Sequence, residues 1–69
     1  MHSKDPVDLG LVFVIRETDL ALLVSFEDTG NELWVPKSVI HDNSEVWRGI
    51  DKHGTLVVEA WWAQKEDML

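Results

Sequence analysis

The sequence predicts a single, mainly β domain spanning residues 1–69. We expect a small curved antiparallel sheet or open barrel, of SH3-like or OB-like size, with four to five strands and a short C-terminal helix. Three features of the chain predict this. β-branched and aromatic residues gather between Leu9 and Val35, and again at Thr55–Val58, with apolar side chains recurring at period two. Glycine-containing polar turns separate the runs at Glu27–Asn31 and Asp51–Gly54. The segment Ala60–Leu69, in contrast, consists of helix formers with no β-branched residue.

Residues 1–8 are polar, carry Pro6 and read as a flexible lead-in. In the first strand, Leu11, Phe13 and Ile15 share one face and Val12 and Val14 the other, before Arg16. Apolar residues on both faces place this strand at the centre of a sheet or in a barrel wall. Glu17-Thr18-Asp19 is a turn. Leu20–Phe26 reads as the second strand, with Leu20, Leu22, Val24 and Phe26 on one face. A helix capped by Asp19 is the rival reading of its first residues, but Val24-Ser25-Phe26 and the turn that follows favour a strand.

Glu27–Asn31 is a strong turn, since Gly30 and Asn31 accept the positive φ of hairpin loops. Glu32–Val35 is the third strand. Pro36 stops it or forces it to an edge, because proline has no N–H to donate to a ladder. Lys37–Ile40 is a short crossover with two apolar anchors, and His41–Glu45 is a polar loop. Val46-Trp47 begins a fourth strand, Asp51–Gly54 turns the chain, and Thr55–Val58 is the last strand. The C-terminal helix is expected to run two to three turns. Trp61, Gln64, Lys65 and Met68 lie on one side, Trp62, Glu66 and Leu69 on another.

Composition narrows the function. Thirteen Asp and Glu face six Lys and Arg, for a formal charge of -7 over 69 residues. Such acidity opposes gripping a phosphate backbone or an anionic lipid surface with the whole molecule. With no cysteine, disulfides and thiolate zinc sites are excluded, and a reducing compartment is permitted. The start of the chain lacks the apolar stretch of a signal peptide, and the longest apolar run, Leu11–Ile15, is far shorter than the ~20 residues of a membrane span. A cytoplasmic protein with no membrane association is the expectation. A domain this small buries only about 60% of its unfolded surface. Its large side chains, or a partner, must therefore supply much of its stability.

The stretch Asn31-Glu32-Leu33-Trp34-Val35-Pro36-Lys37-Ser38-Val39-Ile40, followed by Gly54-Thr55-Leu56-Val57-Val58-Glu59-Ala60-Trp61-Trp62-Ala63, resembles small uncharacterised proteins of phage and bacterial genomes. They share a Trp-x-Pro-Lys-Ser-x-Ile … Gly-Thr-Leu-x-Val-x-x-Trp pattern. Ala21-Leu22-Leu23-Val24 fits its opening, so the resemblance covers roughly residues 20–69 and leaves out the first 19. It implies a small β-rich fold with a C-terminal helix and a phage or mobile-element setting. It assigns no catalytic or binding residue.

Catalytic and metal chemistry find little footing. His41, Asp42 and His53 have the residue types of a metal site, but neighbours in extended chain point apart and no His-x-His pair supports them. Ser38, His41 and Asp42 have the residue types of a triad without a nucleophile elbow. Solvated turn residues account for both sets. We expect no enzyme, no metal and no cofactor.

Two binding readings remain. In the first, an acidic interaction module contacts a protein partner, possessing a basic surface, through Trp61, Trp62, Lys65, Asp42 and Glu45. Acids spread over several turns (Asp28, Glu32, Asp51, Glu59, Glu66 and Asp67 among them) fit an inhibitor or nucleic-acid mimic. Adjacent helical residues point about 100° apart, so Trp61 and Trp62 cannot both face one core stripe. At least one is free for an interface, and a homodimer is one outcome. In the second reading, Trp34, Lys37, Trp47 and Arg48 form a local patch that binds single-stranded nucleic acid by stacking and charge.

Overall fold

In the computed structural model, which describes residues 5–50 and 52–66, four antiparallel strands form one open sheet followed by a short helix. The strands are β1 (Val7–Glu17), β2 (Ala21–Phe26), β3 (Glu32–Pro36) and β4 (His53–Val58). The order across the sheet is β3-β2-β1-β4, so β1–β2–β3 is a meander and the chain then crosses over to reach the far side of β1. The crossover contains a 3-10 turn at Lys37–Val39. A helix, α1 (Ala60–Lys65), follows β4. No helix among the described residues is long and apolar enough to cross a membrane.

The expected meander is present, with differences at its ends. β1 begins at Val7, so the reading of residues 1–8 as a lead-in fails for Val7 and Asp8, which pair with Val58 and Val57. A break in register between Asp8 and Gly10 bends the strand onto β4, and the Asp8 carboxylate accepts the Gly10 N–H at 2.7 Å. Residues 1–4 lie outside the described residues. β2 starts at Ala21 rather than Leu20. The Thr18 hydroxyl accepts from the N–H groups of Leu20 and Ala21, which makes a tight turn and leaves Leu20 80% exposed. β3 ends at Pro36, at an edge of the sheet, as a residue without an N–H requires.

Val46-Trp47 is not a strand. The edge of β4 is instead closed by the loop before it. The outward-facing groups of Thr55 and Val57 all find partners there. The Thr55 carbonyl accepts from Glu45 N–H (2.9 Å) and the Val57 carbonyl from His41 N–H (2.8 Å). Thr55 N–H donates to Glu45 Oε1 (2.8 Å) and Val57 N–H to the Ser44 hydroxyl (3.1 Å). Two side chains thus stand where a fifth strand's carbonyls would be. Gly54 permits the close fit, because a Cβ there would lie 2.9 Å from the Glu45 Cβ.

One face of the sheet carries the core. Val12, Val14, Leu22, Val24, Val35, Leu56 and Val58 are fully or almost fully buried on it. Val39 and Val46 from the crossover, and Trp62 and Ala63 from α1, close over them. A buried aliphatic side chain contributes roughly 1.5–3 kcal/mol, so these residues hold the sheet to its lid. Trp62 is the large side chain of that lid, and its neighbour Trp61 remains 59% exposed, as the helical spacing requires. Met68 and Leu69, expected to continue the two helix faces, lie outside the described residues.

Trp62→Ala should lower the unfolding free energy by about 3–5 kcal/mol, the usual cost of deleting a buried aromatic, while Trp61→Ala changes it by no more than about 0.5 kcal/mol. Urea titrations followed by circular dichroism separate the two. The same titration on Ser44→Ala should show a loss of about 1–3 kcal/mol, because the Val57 N–H is left buried without its acceptor.

Candidate functional site

Two surfaces stand out once the core is assigned. The first is the sheet face opposite the core. On β1 the odd-numbered residues Leu11, Phe13 and Ile15 point away from the buried Val12 and Val14 and are 38–46% exposed. Register places Leu23 between Arg16 on β1 and Trp34 on β3, while Phe13 pairs with Ser25, which in turn pairs with Glu32. Trp34 is 47% exposed. The face is therefore apolar along β1 and again at Leu23 and Trp34, with Ser25, Glu32 and Arg16 interspersed. On β4 it ends at His53, whose ring stacks on Phe13 (centroids 4.2 Å, planes 15° apart) and meets the Glu27 carboxylate at 2.6 Å. Phe13 is thereby held in one position by a cross-strand neighbour.

The second surface is a cleft of about 540 Å³ lined by Lys37, Ile40, His41, Asp42, Trp47 and Arg48. It lies where the crossover meets the loop before β4. The Arg48 guanidinium carbon sits 4.3 Å from the centre of the Trp47 ring, a cation–π arrangement that orients both side chains. His41 is pinned, since its Nδ1 accepts the Asn43 N–H at 3.1 Å, which leaves Nε2 as the ring's other polar atom.

Glu17, at the end of β1, fastens the cleft's two walls. One carboxylate oxygen accepts from Lys37 Nζ and the other from Gly49 N–H at 2.9 Å. The Lys37 bond, and secondarily the Gly49 bond, hold the Glu17 pKa below its ordinary value. Gly49 itself has φ 93°, and a Cβ there would lie 3.3 Å from two carbons of the Lys52 side chain. Lys52 therefore runs beside the loop, and only glycine fits its tight bend. Glu45 is likewise held low, chiefly by the Thr55 N–H.

The residues anticipated from sequence divide between these places. Lys37, Trp47 and Arg48 come together in the cleft, and Asp42 joins them from the other set. Trp34 does not; it belongs to the apolar sheet face. Trp61 and Lys65 are exposed on α1. Trp62, expected at an interface, is 5% exposed and packs into the core, because α1 must lay one indole over the sheet. The Glu45 carboxylate is engaged in closing the β4 edge. His41 and His53 lie apart, one in the cleft and one against Phe13, and among the described residues no three metal-ligating side chains converge. Sequence reasoning missed the sheet face as a site, although the alternation at residues 11–15 showed two apolar faces. It also missed Glu17 as the cleft's fastener, for which no local signal exists.

No protein-family model matches the chain, and no curated protein or solved structure matches it at a significant level.

Because the folded-state pKa of Glu17 is depressed, its bonds stabilise the protein above the ordinary carboxylate pKa and the stabilisation is lost as pH falls through the lower, folded-state value. Glu17→Gln should therefore lower the urea midpoint at pH ~7 and converge on the unsubstituted protein at pH ~2. Paired denaturation curves at the two pH values check this.

Proposed function

We propose that this chain is a protein-binding accessory module whose contact surface is the apolar sheet face, and that its partner is a protein with an apolar centre and a basic surround. The supporting observation is the set of exposed apolar side chains Leu11, Phe13, Ile15 and Trp34, with Phe13 braced by His53. Aromatic residues presented by a rigid scaffold are the side chains that anchor protein interfaces.

Size and charge choose the partner. Four strands about 4.8 Å apart and about five residues long outline a face of roughly 300 Å² in projection. A stable interface takes about 800 Å² of accessible surface from each partner. Contact must therefore spread past the band to its rim. Glu27, which meets His53, and Glu32, which pairs with Ser25, are exposed beside it, and Asp8, Asp19 and Asp28 are exposed on β1 and in the turns, against exposed Arg16 and Lys52. A second copy would bring this acidic rim against itself, on chains of net charge -7 each. A basic partner is attracted by the same rim and oriented by it.

The reading is of a module that acts by contact rather than by catalysis, in the cytoplasm. Its likeness to phage and bacterial proteins, carried by Trp34-Val35-Pro36-Lys37-Ser38, favours an accessory or inhibitory role in a mobile-element setting. Trp61 and Lys65 on α1 lie beyond this surface and serve as comparison positions.

Immobilised protein should capture from a bacterial extract a protein of basic isoelectric point. The captured protein, purified, should bind the chain at least ~100-fold more weakly when Phe13→Asp and Trp34→Asp are combined, the loss expected for two interface anchors. Binding should weaken with salt and be unchanged by Trp61→Ala. The reading is overturned if capture survives the double substitution. It is also overturned if sedimentation shows a dimer at micromolar concentration that Trp34→Asp dissolves, which would put a second copy on this face.

A further inference from the structure

We infer that the cleft between the crossover and the loop before β4 is a binding site for a single nucleotide, independent of the protein-binding face. Its lining combines three kinds of group that a nucleotide needs and that rarely meet on so acidic a chain. Trp47 and Ile40 supply an aromatic face and an aliphatic wall for a planar base. Arg48 supplies a cation for a phosphate, and Lys37 a second whose charge is shared with Glu17. Two of the chain's six Lys and Arg residues thus line one concavity, against thirteen acids overall. Asp42 is an acceptor at the same wall. It opposes a simple anion but suits a ligand that also carries sugar hydroxyl or base amino donors.

The site is also ordered before any ligand arrives. Arg48 is already stacked on Trp47, Lys37 is already tied to Glu17, and Glu17 is tied to Gly49. Fixed side chains lose less freedom on binding. The cleft's volume, about 540 Å³, lies within the range of small-ligand pockets. Charge limits the ligand to one unit. A long strand would continue past the cleft along a surface of net charge -7, with repulsion growing for every added phosphate. Trp34, which a longer stacking platform would require, lies on the opposite face of the sheet. The ligand is therefore a free nucleotide, or the terminal nucleotide of a strand whose remainder stays in solution.

Two-dimensional amide and indole NMR spectra, titrated separately with adenosine monophosphate, adenosine, inorganic phosphate and a short oligothymidylate, test the inference. Adenosine monophosphate should shift the Trp47 indole N–H and the backbone signals of residues 40–42 and 47–49, while those of Trp34 and Trp61 stay in place. Adenosine and phosphate alone should each bind at least about tenfold more weakly, since each lacks one half of the contact. Arg48→Ala and Trp47→Ala are both at exposed positions and should leave the remaining spectrum native. Each should weaken adenosine monophosphate by at least about tenfold. Equal affinity for the oligothymidylate and the mononucleotide assigns the site to strand ends. Tighter binding that increases with oligonucleotide length overturns the single-nucleotide site in favour of strand binding. No shift at about 10 mM adenosine monophosphate, or shifts that persist in both variants, overturns it outright.

Discussion

A four-stranded sheet has two faces, and the described residues outside the sheet pack over one of them. That constraint governs the molecule. The crossover and the short helix are both spent on the same side, where Val39, Val46, Trp62 and Ala63 meet the valines and leucines of the sheet. A closed barrel would have hidden the opposite face, but the sheet stays open at β3 and is finished at β4 by a loop. Leu11, Phe13, Ile15 and Trp34 are left exposed on the other face. A polar residue at Phe13 or Trp34 would serve the monomer at least as well, since exposed apolar bands of this kind invite association.

The loop that closes β4 has a second effect. Because His41, Ser44 and Glu45 must reach the backbone of Thr55 and Val57, the residues between Ile40 and Val46 have little freedom. His41 and Asp42 are held in the cleft's lining by this docking, and Glu17 ties Lys37 of the crossover to Gly49 of the loop. The edge protection and the cleft are one construction. It uses side-chain oxygens as substitutes for a neighbouring strand, which also shields β4 from pairing with another chain.

The strands of the meander were legible because each obeys a local rule: period-two alternation in β1 and β2, a glycine turn at 27–31, and a proline at the end of β3. The central position of β1 followed from its two apolar faces. Which of those faces would be buried was not legible, since Leu11, Phe13 and Ile15 are as apolar as Val12 and Val14 and only the position of α1 decides. The false strand at Val46-Trp47 has the same origin. Val46 is indeed buried, but as an anchor in a loop whose hydrogen bonds depend on Ser44 and Glu45, and such pairing leaves no periodic trace. For the cleft, the cations and Trp47 were recognisable as residue types. Their separation from Trp34 was not, because it depends on which side of the sheet each one leaves.

The strand order also constrains how the chain assembles. β1, β2 and β3 are joined by tight turns and can zip together from contacts close in sequence. β4 has no such neighbour. Its partner is the first half of β1, so Val58 must find Val7 across the whole intervening chain. Pairing β4 with β1 therefore carries the entropic cost of closing a long loop. Trp62 follows directly behind β4 in the chain. Without β4, β1 would keep its pairing with β2 and present its other edge unpaired.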